Sequence, residues 1–255
     1  MSEHRTACRP LTSKGPARPR SRTGPCRRGA PRRGLGVLAL GLLALCGIGS
    51  AALAADGAAI STADVHWWFD HETAIGSSIL VRSESGVTAV VETSGLPSGH
   101  AMTLWVIFFN RPEACDSSPC ADLEAAPDEL LADLFAPSVE ADFHFGSGVV
   151  TGAGARVVFG GHLAIDDLTG SGRAEIGFDE GVPLLDPARA EILLAIHSHG
   201  PKLRGRDLKA QISSYLGGCA TFLGAAGFAT GPDEVPDSAN ECATIQYSLH
   251  RADGE

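Results

Sequence analysis

The sequence predicts an all-β domain, an antiparallel β-sandwich or barrel with a short helical insertion, and three observations predict it. Apolar stretches of five to ten residues recur between residues 64 and 250. Gly, Pro, Asp and Ser interrupt them at short intervals, the way turn residues punctuate antiparallel strands. Only one segment, residues 128–135, spaces its apolar side chains as a helix would. The composition, 255 residues at 44% hydrophobic and 20% charged, supplies a core of ordinary globular size.

The first element in chain order is a leader. Residues 1–34 carry ten Lys and Arg against one acid, Glu3, and residues 34–55 carry no charge at all. A basic segment followed by an apolar one is an export signal. Ala52-Leu53-Ala54 puts small residues where a signal peptidase reads them, so residues 1–54 are expected to be a signal peptide and the mature chain to begin at Ala55. The competing reading is an uncleaved anchor, since about 20 apolar residues span a bilayer. Gly36, Gly41, Gly47 and Gly49 weaken that helix. Either way the basic flank stays cytoplasmic and the remainder faces outward, giving a secreted or periplasmic domain. Arg32-Arg33-Gly34-Leu35 partly resembles a twin-arginine signal, and the export route stays open. Past residue 34, ten basic residues face twenty-nine acidic ones, a net charge of −19. That surface repels phosphate backbones and anionic headgroups, which argues against nucleic-acid partners and against peripheral membrane binding by the mature domain. A small ligand or a protein partner remains open.

Residues 55–63 are expected to form a flexible lead-in and 64–255 the β domain, with strands at about 64–69, 78–83, 86–93, 100–110, 139–151, 155–166, 190–199 and 243–250. Adjacent Trp67 and Trp68 must face opposite ways on the first strand, one toward the core and the other toward the surface. In the fourth strand Met102, Leu104, Val106 and Phe108 face one way, and Trp105, Ile107 and Phe109 the other. Both faces are apolar, so both need a cover: the opposite sheet on one side, and on the other the insertion 112–137, a subunit or a ligand. The insertion holds the short helix, opened by Pro127, with Leu130, Leu131, Leu134 and Phe135 on one face. Thr151-Gly152-Ala153-Gly154 predicts a hairpin between the fifth and sixth strands.

Of seven cysteines, Cys8, Cys26 and Cys46 leave with the leader. The remaining Cys115, Cys120, Cys219 and Cys242 suit two disulfides in an oxidising compartment, and closeness in sequence favours Cys115 with Cys120 and Cys219 with Cys242. The competing reading, a four-thiolate metal site, lacks the usual C-x-x-C pairs.

No nucleophile elbow and no phosphate loop occurs. His71-Glu72-Thr73-Ala74-Ile75 begins like a zinc-protease helix but has Ile75 where the second histidine belongs. The glycines at 146–154 lie between strands and suit turns better than a dinucleotide. What is left is histidine. His197 and His199 are two apart on a strand and project from one face, the H-x-H arrangement that gives two ligands to copper or zinc. His162 and His100 are the candidates for a third ligand. The competing reading makes all four histidines structural hydrogen-bonders at strand ends.

The stretch Gly99-His100-Ala101-Met102-Thr103-Leu104-Trp105, continuing through Phe109-Asn110-Arg111-Pro112 to Cys115, resembles the hallmark of a group of uncharacterised exported bacterial and archaeal proteins. So do Gly161-His162-Leu163, residues 190–201 ending in Ser198-His199-Gly200-Pro201, and residues 211–219 ending in Gly217-Gly218-Cys219. The resemblance covers residues 99–219. It implies an exported β-rich domain whose shared residues include His162, His199, Cys115 and Cys219, and it implies no reaction. A fainter likeness links Ile196-His197-Ser198-His199 and Leu203-Arg204-Gly205-Arg206 to the last strand of chordin-type (CHRD) domains, without their Glu-Ile. The functional expectation is therefore an exported, disulfide-stabilised binding or structural module with any ligand near the four histidines. Its rivals are a copper or zinc metalloprotein or metalloenzyme, of superoxide-dismutase-like or metal-hydrolase type, and a cell-surface protein that uses an aromatic face at Trp67 and Trp105.

Overall fold

The computed structural model describes residues 58–121, 127–154, 156–220, 227–239 and 241–252. The leader, its cleavage point and Ala55 lie outside the described residues. Eight strands form: β1 (Ala59–Trp67), β2 (Gly76–Ser83), β3 (Gly86–Ser94), β4 (His100–Phe109), β5 (Ala141–Val150), β6 (Arg156–Ala164), β7 (Glu191–Pro201) and β8 (Ala243–His250). Three short helices accompany them: α1 (Pro127–Phe135), α2 (Gly172–Glu175) and α3 (Gly205–Gln211). Each predicted strand overlaps an observed one. The main difference is at the start, where β1 takes in residues 59–63, expected as lead-in. Its register runs from Ala59 opposite Arg82 to Val65 opposite Gly76. The small and polar residues Ser61, Thr62 and Ala63 hide the alternation that a strand normally shows.

The strands pair antiparallel in the order β5-β4-β7-β8-β1-β2-β3-β6. The connections from β3 to β4 and from β6 to β7 cross over their neighbours, as in a Greek key. The sheet curls until its two ends, β5 and β6, lie side by side, so the domain is nearly a barrel. No ladder joins those two strands among the described residues, so the predicted β5–β6 hairpin is instead a packed seam. Glycine permits the approach: a Cβ on Gly161 would sit 3.2 Å from the Gly146 Cα.

Inward-facing residues from the eight strands fill the barrel, among them Val65, Leu80, Val91, Leu104, Phe108, Phe159, Leu194 and Ile245, with Val149 of β5 packed against them. Each such side chain contributes roughly 1.5–3 kcal/mol on burial. One end of the interior is polar and paired. Arg82, 2% exposed, donates to the carbonyls of Pro187, Ala190, His250 and Arg251. His250 bonds Ser61 and Ser78 through its two ring nitrogens, at 2.8 Å each.

A second core lies outside the barrel. Trp105, Ile107 and Phe109 of β4, with Leu193 and Ala195 of β7 and Phe143 of β5, meet Leu130 and Leu134 of α1. The insertion is thus the cover that a strand apolar on both faces requires. Trp68 belongs to this second core and Trp67 packs against the first, so neither tryptophan is a free surface aromatic. Trp105 is 1% exposed, which removes it from any exposed interaction face.

Candidate functional site

Beside that second core, on the outer face of β7, the chain gathers its chemistry. Leu193, Ala195, His197 and His199 share this face, while Ile192, Leu194 and Ile196 point into the barrel. The strand period therefore brings the two imidazoles together as expected, with ring centroids 4.8 Å apart. Both rings are fully buried. A β-bulge opposite β8 between Ile196 and His197 sets His197 against Thr244.

Each histidine is held on one ring nitrogen by a threonine. His197 Nδ1 lies 3.3 Å from Thr244 Oγ1 on β8, and His199 Nε2 lies 3.0 Å from Thr103 Oγ1 on β4. Thr103 is fixed in turn by the Trp105 indole N–H, which donates to its hydroxyl at 2.9 Å. Tyr215 closes the face by stacking on His197, with centroids 4.9 Å apart, and by meeting Trp105 edge-on at 5.0 Å. The nitrogen left over on His197, Nε2, is buried without a hydrogen-bond partner among the described residues.

The rest of the site comes from the segment after β7. Near the end of β7 itself, Gly200 takes φ +71° where a side chain would strike the Ser238 carbonyl, a position open to glycine alone. Gln211, at the end of α3, is fully buried and ties this segment to the strand, donating to the His199 and Pro201 carbonyls and accepting from the Leu203 N–H. The Glu175 carboxylate, at the end of α2, accepts from the backbone N–H groups of Tyr215 and Leu216 at 2.9 Å each. These ties deliver Cys219 to the histidines, where it forms a disulfide with Cys242. The second disulfide joins Cys115 and Cys120 in the insertion. Sequence closeness had indicated both pairings. His199 Nδ1 lies 3.6 Å from Cys219 Sγ and 3.9 Å from Cys242 Sγ. One donor atom from each of His197, His199, Cys219 and Cys242 lies within 4.8 Å of the other three.

Burial controls the protonation of the pair. Loss of water pushes the His197 imidazole well below its ordinary pKa, and the neighbouring His199 pushes it further. His199 falls to about 4 through burial, against a smaller upward pull from the Gly217 carbonyl. Both rings are neutral at pH 7 and so carry a lone pair. Burial also raises the Tyr215 hydroxyl, and the Glu175 charge adds to this, so the phenol stays protonated.

The other two predicted ligands do not join. His162 lies on the outer face of β6, where Nδ1 meets Thr88 Oγ1 of β3 at 2.9 Å. Across the β5–β6 seam β6 stands three strands from β7, and His162 is exposed there while the H-x-H pair is buried. His100 opens β4 opposite Pro201, past a register shift, and its backbone N–H donates to Thr151 Oγ1 at 2.9 Å. Burial lowers its pKa, offset by the Asp237 carboxylate. His100 and His162 thus lie outside the group of side chains that His197, His199, Cys219 and Cys242 form.

No family model, curated protein or solved structure matches this chain. No helix among the described residues is long and apolar enough to cross a membrane.

Proposed function

We propose that this chain is an exported, disulfide-stabilised binding module whose ligand is a late first-row metal ion, zinc or copper, held at His197 and His199. The observation that supports this reading is the convergence of two neutral, threonine-oriented imidazoles with two sulfur atoms inside a 4.8 Å sphere. Imidazole suits both ions, and a ligand histidine whose second nitrogen is hydrogen-bonded has its ring orientation fixed in advance. An organic ligand fits less well beneath the cover. The apolar gap between Trp105, Leu134, Phe143 and Tyr215 holds only about 30 Å³, far short of the roughly 300 Å³ such a ligand needs. Export rests on the basic-then-apolar leader and on the two disulfides.

The test is metal analysis of protein purified from its native compartment without chelators. Zinc or copper near one equivalent per chain, lost in His197→Ala and in His199→Ala while the fold persists, is the expected result. A metal-free protein that also fails to take up either ion after purification would overturn the reading and leave the histidines as structural hydrogen-bonders.

A further inference from the structure

Two of the four converging donors are bonded to each other, and a sulfur in a disulfide has no thiolate lone pair to offer a cation. We propose that Cys219 and Cys242 interchange between a disulfide and two thiolates, and that the reduced pair, with His197 and His199, binds one zinc ion in a four-coordinate Cys2His2 site. The inference rests on the metal-binding reading above and adds what regulates it: the redox state of one cysteine pair.

The geometry favours it on three counts. Zinc–sulfur bonds of about 2.3 Å and zinc–nitrogen bonds of about 2.0 Å set the edges of a tetrahedral site at roughly 3.3–3.8 Å. The observed 3.6 and 3.9 Å from His199 Nδ1 to the sulfurs already match these edges, and the widest separation in the group is 4.8 Å. Contraction of the widest edge by about an ångström, together with separation of the two sulfurs to about 3.8 Å once they are no longer bonded, closes the site. The orienting groups are also in place. The Thr103 hydroxyl has two lone pairs, enough to accept from both Trp105 Nε1–H and His199 Nε2–H, which leaves the His199 Nδ1 lone pair toward the sulfurs. The Thr244 hydroxyl can likewise take the His197 Nδ1–H, and this leaves Nε2, the buried nitrogen without a partner, free to coordinate. Access is the third count. Cys219 is half-buried, and Cys242 lines an open groove of about 530 Å³ shared with Asp233, Glu234, Asp237 and Glu241. Those carboxylates attract a divalent cation, and the groove admits a small thiol.

The chemistry balances with a dithiol as reductant. Its first thiolate attacks one sulfur of the Cys219–Cys242 bond and expels the other cysteine; its second thiolate then attacks its own sulfur in the mixed disulfide, closing an internal disulfide in the reductant and releasing the second cysteine, so that two electrons and two protons pass to the pair. Zinc then displaces both thiol protons to water, and two thiolates on Zn2+ give a site of zero net charge. A small disulfide reverses the step: it takes two electrons and leaves as two thiolates, the Cys219–Cys242 bond reforms, and the ion is left on the two imidazoles alone, held less tightly.

The experiment compares the purified exported chain in oxidised form and after anaerobic reduction with a phosphine, each titrated with Co2+ and then with Zn2+. Thiols are counted by alkylation and the fold is followed by far-ultraviolet circular dichroism. The expected result is one cobalt per reduced chain with a sulfur-to-cobalt charge-transfer band, displaced by zinc, and affinity at least about 100-fold above the oxidised chain. The band persists in Cys115→Ser/Cys120→Ser and vanishes in Cys219→Ser/Cys242→Ser. Equal binding by both forms would overturn the redox inference while leaving the metal reading intact. Binding by neither would overturn both. A reduced, folded chain with its thiols free and no charge-transfer band, a band that survives Cys219→Ser/Cys242→Ser, or loss of the β-sheet spectrum on reduction would each overturn the redox inference.

Discussion

Lowering the pH from 7.5 to 5.5 removes stability from this domain through its buried histidines. Burial brings His199 and His250 from an ordinary 6.5 to about 4 in the folded chain, the latter with help from the Arg82 charge. The unfolded chain protonates both rings near pH 6.5 and the folded chain does not. Between pH 6.5 and about 4 the unfolded state therefore binds more protons, and stability falls as the pH falls. Above 6.5 the rings are neutral in both states and nothing is lost. At pH 5.5 each ring costs about 1.4 kcal/mol, so the pair costs about 3 kcal/mol, and His197, shifted in the same direction, adds to it. Carboxylates with lowered pKa, such as Asp70 and Asp167, contribute losses only below about pH 4, outside this window. The assay is urea unfolding of the oxidised, metal-free chain at pH 7.5, 6.5 and 5.5. With a slope of about 2 kcal/mol per molar, the midpoint falls by about 1.5 M across the range. His250→Gln removes close to half of the pH dependence carried by this pair. A midpoint that moves by less than about 0.3 M would refute the assignment of neutral, buried rings.

Other outcomes follow from particular contacts. Arg82→Lys cannot keep four carbonyl contacts on a branched donor, so it destabilises the domain by about 3 kcal/mol in urea unfolding; a cost under about 0.5 kcal/mol would contradict that network. Removing the Cys219–Cys242 bond, which spans 23 residues, costs about 3 kcal/mol, and removing Cys115–Cys120, which spans 5, costs about 2 kcal/mol, so paired serine variants should melt in that order. Trp105→Ala opens the second core, at a cost of about 3–5 kcal/mol measured by denaturant melts. Thr103→Val keeps the fold but weakens metal uptake by the reduced chain by about 10-fold or more in cobalt competition, because the hydroxyl that orients His199 is gone.

The strands were legible because their signals are local: an apolar run, then Gly, Pro or Asp. β4 shows this most clearly, since its two apolar faces required two covers, and residues 128–135 supplied one of them as α1. The H-x-H pair was legible for the same reason, as two residues on one strand share a face whatever surrounds them. The rest of the site depended on strand order, which no local pattern carries. His162 was a reasonable partner by residue type, yet the crossover that places β6 at the end of the sheet puts it elsewhere. The sulfurs were legible as a disulfide, and metal binding by cysteine was treated as its rival. In the structure the disulfide sulfurs lie beside the imidazoles, because Gln211 and Glu175 hold the segment after β7 back against His199. The sequence carries no clear signal for α2 and α3, because they span 4 and 7 residues and bury few side chains. Ser171 was a usable clue, since its hydroxyl caps α2 by accepting from the Ala174 N–H.

The central claim is that two histidines and two cysteines from distant parts of the chain form one coordination sphere. X-ray absorption at the zinc edge of the reduced, zinc-loaded chain examines that sphere directly. Two sulfur scatterers at about 2.3 Å and two nitrogen scatterers at about 2.0 Å are predicted. A shell of nitrogen and oxygen alone, or of four sulfurs, would contradict the claim.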